Sequence, residues 1–198
     1  MEGVKLLPYI VLAASGLLAL LSPIAGGSRE VLLFASYAAS VLALFAFIAT
    51  RTGSRLPALL SLLSLLPLFA SPSLSYALSL SILLLSLVAY MLAGRTHVLL
   101  LSLGAVAPLV SPAAGLMSAL LVSYLTAGLT PIREPRSCPF RMDSNLLFFG
   151  AVIGSAGVLV QLTPLSWLST TMWLSGLLLL LSGLIVPLGP SGHRPSSV

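Results

Sequence analysis

The sequence is poor in charge. Of its 198 residues only 7% are Asp, Glu, Lys or Arg, against about a quarter in a soluble domain. So few charges do not cover a folded surface with polar groups, which excludes a water-soluble globular domain. Of the two signs, acidic residues are the rarer. Glu2, Glu30, Glu134 and Asp143 make up the full set, and none falls inside an apolar run. Carboxylates buried in a membrane are the usual proton or sodium sites of pumps, so their absence argues against an ion-coupled transporter. Cys138 stands alone, which rules out an internal disulfide and a C-x-x-C site. Asn145 and Gln161 are the sole side-chain amides, and there is no N-x-S/T site. No glycine-rich phosphate loop and no H-E-x-x-H occurs, so nucleotide and metal chemistry have no support.

The remaining chemistry-bearing residues do not assemble into a site. His97 and His193 would have to face one another inside a bundle to hold haem, but His193 lies in the polar, proline-rich stretch 188–198, read as a flexible cytoplasmic tail. Cys138 with His97 would give a nucleophile and a base, with no third group to orient them. The expectation is therefore no enzyme, no catalytic residue, no metal site and no cofactor.

What the chain has in abundance is apolar sequence. Hydrophobic residues make up 58% and the mean hydropathy is +1.13. The runs are long, rich in Leu, Ala and Ser, and do not alternate, unlike the roughly 10-residue alternating segments of a membrane β-barrel. They predict an all-α, polytopic integral membrane helix bundle, a single transmembrane domain over 1–187. The segments fall near 6–21, 31–50, 56–70, 74–93, 98–110, 113–130, 146–162 and 171–186. A secretory signal at the start is disfavoured, because its apolar core is long and no clean A-x-A site follows. The net charge of +5 and pI near 10.0 do not imply nucleic acid, because the charges are scattered singly between apolar runs.

Four turns share one pattern. Leu21-Ser22-Pro23, Ala70-Ser71-Pro72, Val110-Ser111-Pro112 and Leu162-Thr163-Pro164 each read apolar, hydroxyl, proline. Proline has no N–H to leave unsatisfied at the start of a helix, and the hydroxyl can cap that start. Each pair of segments then ends in basic residues, which gives four αα-hairpins in series. Local turn chemistry explains the pattern better than duplication, since the helices between the turns align poorly. Lys5, Arg51, Arg55, Arg95, Arg133, Arg136, Arg141 and Arg194 fall on one side, with Arg29 alone on the other beside Glu30. The positive-inside rule places that basic side, both termini and the polar loop 131–145 in the cytoplasm. The expected location is the cell membrane, multi-pass, with both termini inside.

Two stretches are irregular. The 33 residues of 98–130 must hold two segments and a turn, fewer than the roughly 20 residues each that full crossings need. They form either two short helices, the preferred reading, or a re-entrant hairpin lining a cavity. In the loop, Arg133, Arg136 and Arg141 form a basic cluster that sets topology; the sharper alternative is contact with anionic lipid head groups or a cytosolic partner.

Small residues recur four apart at Ala35, Ala39 and Ala43, at Ser36 and Ser40, at Gly115 and Ala119, and at Gly150 and Gly154, with Gly157 a further turn on. Such faces let helices approach closely. Internal packing is the preferred reading, and docking of a membrane protein partner on the 146–162 face is the alternative. Gln161 is expected to make an interhelical hydrogen bond. Beyond the lipid bilayer, the expected partners are membrane proteins and not nucleic acid. The function read from these features is a non-catalytic structural or assembly subunit of a membrane complex. The alternative is a channel or carrier for a small neutral or lipidic solute, with 98–130 in the path.

Overall fold

The computed structural model describes residues 2–71, 73–130, 140–141, 143–161 and 163–187. Arg133 and Arg136 lie outside them, as does the tail 188–198, and of Arg141 only the backbone is described. The architecture is all-α. The helices are α1 (Glu2–Leu21), α2 (Arg29–Arg51), α3 (Arg55–Leu63), α4 (Leu66–Ala70), α5 (Leu74–Ala93), α6 (Ala107–Val110), α7 (Pro112–Leu129), α8 (Ser144–Val160) and α9 (Ser166–Leu184). A 3-10 helix, Thr96–Val106, leads into α6. Phe140–Arg141 pairs antiparallel with Val186–Pro187, which brings the end of the polar loop beside the end of α9.

Among the described residues, four helices are long and apolar enough to cross a membrane: Gly26–Arg51, Leu74–Ala93, Pro112–Leu129 and Trp167–Leu184. Four shorter apolar segments, Leu7–Leu21, Arg55–Ala70, Thr96–Val110 and Ser144–Val160, pack among them. Several expected bounds shift. The first helix begins at Glu2, the seventh segment at Ser144 and the eighth at Ser166 rather than 171, so Trp167 and Trp173 both lie within it. The third segment is broken at Ser64-Leu65 into α3 and α4, and Pro67 stands at the start of α4, where its missing N–H costs nothing.

The largest departure is at Thr96–Val110, where the sequence predicts a short α-helix over 98–110. Eleven residues are 3-10 helix and the last four are α-helix. A 3-10 helix rises about 2.0 Å per residue against 1.5 Å for an α-helix. The segment therefore reaches about 28 Å, where α-helix throughout would give about 22 Å. The short sequence is stretched nearly to the length of its neighbours.

The serine and threonine turns differ in detail from expectation. Ser111 does cap α7: its hydroxyl accepts from Ala114 N at 3.0 Å, with Pro112 next. Thr163 and Ser71 instead accept from the backbone N–H two residues on, at 3.3 and 3.4 Å, and Ser22 bonds back to Ala19 O at 2.7 Å.

Helix directions follow from the contacts. Arg29, at the start of α2, reaches Met117 near the start of α7, and half-way along Ser40 meets Ser123 at 2.8 Å, so α2 and α7 run parallel. Tyr9 meets Arg51, which makes α1 antiparallel to α2. Asp143 N donates to Gly183 O at 2.9 Å, which makes α8 antiparallel to α9. One end of the bundle thus carries Arg51, Arg55 and Arg95, and the other carries Arg29.

Candidate functional site

The core is apolar, with Leu33, Tyr37, Phe47, Leu78, Leu116, Tyr124 and Trp173 among its fully buried side chains. Its polar atoms are nearly all hydroxyls, and in a medium without water each needs a partner within the protein. Some, such as Ser61, Ser86 and Thr126, bond a carbonyl of their own helix, and neighbouring helices supply partners for others. Ser36 donates to Ser15 O at 2.6 Å, and the Tyr124 hydroxyl bonds the Ser15 hydroxyl and lies 3.1 Å from Leu12 O. Ser81 sits 2.6 Å from Ser64 O, Ser79 donates to Ala105 O at 2.8 Å and Ser118 to Gly104 O at 3.1 Å. Ser169 donates to Gly157 O at 2.7 Å, and Trp173 Nε1 donates to Met117 O at 3.2 Å. These bonds tie side chains of one helix to backbone carbonyls of the next and fix the helices in one register.

Of the two four-spaced series on α2, Ser36 and Ser40 face inward, while Ala35 is exposed and Ala39 half-buried; only Ala43 of the alanine series is buried. The expectation that the alanines line the packing face is corrected accordingly. The α8 glycines abut α9. A Cβ at Gly150 would lie 2.7 Å from Leu180 N, and one at Gly157 2.5 Å from Trp173 N. Gly154 faces both Gly176 of α9 and the side chain of Leu121 on α7. Gly115 abuts Pro108 at the tip beside Ser111, and Ala119 is fully buried. Gln161 departs from expectation: its Oε1 is buried with no hydrogen-bond partner among the described residues.

The cations are handled differently at the two ends. Arg51 is buried, its guanidinium 4.2 Å from the centre of the Phe47 ring and 5.2 Å from that of Tyr9, whose hydroxyl it also bonds. Tyr9 and Phe47 meet edge to face at 4.8 Å. Arg29 reaches Thr170 Oγ1 at 3.3 Å and Met117 Sδ at 4.0 Å. Arg55 and Arg95 are exposed.

Among the described residues, a lateral groove has the shape of a binding site. Its floor is α7 and its walls are α8 and the Thr96–Val110 segment. The 3-10 repeat stacks side chains three apart, and the outward row is His97, Leu100, Leu103, Val106 and Leu109, all exposed. Gly104, on the inner side, lets the segment sit close to α7: a Cβ there would lie 2.6 Å from Ser118 Oγ. The groove holds two cavities that meet at Leu100, Leu101 and Leu125. One, of about 390 Å³, runs toward Val110 and Ala114 between Leu103 and Ser155. The other, of about 480 Å³, runs to His97, Leu129 and Ser144. Both have the size of a small-molecule site and an almost wholly apolar lining.

The three-spaced leucine row is present in the sequence, but a search for four-spaced faces passes over it. His97 reads from sequence as a base or a haem ligand and takes its place on a groove wall only in the fold. No family model, curated protein or solved structure matches this chain.

Proposed function

We propose that the chain is a multi-pass membrane protein that crosses the bilayer eight times as four αα-hairpins, with both termini cytoplasmic, and serves as a non-catalytic structural or assembly subunit of a membrane complex. The hydroxyl cross-links carry this reading. A carrier must open and close around its cargo, and its helices need two arrangements of similar energy. Here Ser15, Ser36, Ser81, Ser169, Tyr124 and Trp173 each bond a neighbouring helix, which favours one arrangement. The 28 Å reach of Thr96–Val110 supports eight crossings, because it approaches the hydrocarbon thickness of about 30 Å. The grouping of Arg51, Arg55 and Arg95 at one end supports the orientation.

Purification in mild detergent with identification of co-purifying chains tests the proposal. A stoichiometric partner is the expected result. The lateral cavities favour the second reading, a carrier of a lipidic solute. A lone, monodisperse protein that moves such a solute in liposomes would establish that reading and overturn the first.

A further inference from the structure

We infer that the groove between the 3-10 segment and α8 is a binding site for a single anionic phospholipid, with an acyl chain laid along α7 and the phosphate at Arg95 and His97. The inference rests on the membrane-spanning reading of the chain. In that setting a groove open to the side meets hydrocarbon, and its walls are of matching chemistry.

Three observations select an anionic phospholipid. The first is the kind of polar group found at each end of an otherwise apolar lining. Toward Val110 the lining is aliphatic apart from Ser118 and Ser155, and the Ser118 hydroxyl is already bonded to Gly104 O at 3.1 Å. At the opposite end it acquires His97 and Ser144. The second is charge. Arg95 immediately precedes the 3-10 segment, within one turn of His97, and is exposed with no ion pair among the described residues. Asp143 is the described carboxylate at that end, and its Oδ1 accepts from Asn145 N at 2.9 Å and Leu146 N at 3.3 Å, capping α8. The third is length. The groove wall from His97 to Val110 rises about 24 Å, long enough to cover a chain from head-group level past the middle of the bilayer. A zwitterionic lipid would fill the same slot but would gain less at Arg95, where one cation near a membrane surface is worth about fivefold in affinity.

Native mass spectrometry of the full chain in mild detergent, titrated with dioleoylphosphatidylglycerol or dioleoylphosphatidylcholine, tests this. The expected result is one retained lipid per chain, with the phosphatidylglycerol favoured about fivefold or more. Arg95→Gln with His97→Gln should abolish that preference while keeping one lipid bound. Ser155→Trp places an indole in the slot from an exposed position and should remove the tight site. The inference is overturned if Ser155→Trp retains lipid like the parent, if the double variant keeps the preference, or if a co-purifying protein chain fills the groove instead. A chain that stays soluble without detergent would sink the membrane reading itself. A chain that needs detergent but retains no lipid sinks the groove alone.

Discussion

Gly176 offers the sharpest test of how this bundle is held together. A Cβ there would fall 2.3 Å from Gly154 N, 2.4 Å from Gly154 Cα and 2.7 Å from Gly150 O. All three are backbone atoms of α8, so nothing can rotate aside and the helices must part. Restoring ordinary contact takes about 1 Å, and a gap of that size forfeits about a quarter to a half of each dispersion contact it opens. Gly150 against Leu180 and Gly157 against Trp173 lie along the same seam and open with it. Gly16 is the control. A Cβ there would also come within 2.3 Å of a neighbour, but that neighbour is Leu181 Cδ1, the far end of a side chain. A rotamer adjustment relieves it for about 0.5–1.5 kcal/mol. Both glycines are inside helices, so the gain in helix propensity of about 1 kcal/mol on going to Ala is common to both and cancels. Overpacking of a rigid contact costs about 1–3 kcal/mol and at backbone the upper end applies. Gly176→Ala should therefore be less stable than Gly16→Ala by about 2 kcal/mol, roughly a 30-fold difference in unfolding equilibrium. Unfolding by sodium dodecyl sulfate from mixed micelles, followed by circular dichroism, measures it. Equal stability of the two variants would show that side-chain compliance, and not backbone contact, governs the α8–α9 seam.

Other consequences are smaller but as definite. A double-mutant cycle on Ser15→Ala and Tyr124→Phe should return a coupling of about 0.6–1.7 kcal/mol, the range for hydrogen bonds between membrane helices; a value near zero would mean the pair adds no net stability. Arg51→Gln removes a desolvated cation from the Tyr9 and Phe47 rings and should cost about 2 kcal/mol in the same unfolding assay, with Arg51→Lys intermediate. Gly94 ends α5 at φ 64°, and a Cβ there would meet nothing within 4 Å, so Gly94→Ala should cost about 1–2 kcal/mol from backbone strain alone. An impermeant maleimide on intact cells should leave Cys138 unlabelled, and should label Gly27→Cys in a Cys138→Ser background; the opposite pattern would invert the proposed orientation.

Hydropathy and turn chemistry were enough to read an all-α chain of apolar segments. Both signals are local: a leucine run or a Ser-Pro step carries its meaning wherever it packs. Hydropathy alone could not choose between faces. On α2, alanines and serines recur with the same spacing, and the serines turn inward because Ser15 O and the Ser123 hydroxyl lie opposite to receive them. Nor does local sequence reveal that Thr96–Val106 abandons α geometry. In a packed bundle, the reach a segment needs competes with the better hydrogen bonds of the α-helix, and that contest depends on the neighbours' length. The three-spaced row from His97 to Val106 becomes a wall only once that choice is made, and the groove exists only because α7 brings α8 up to face it.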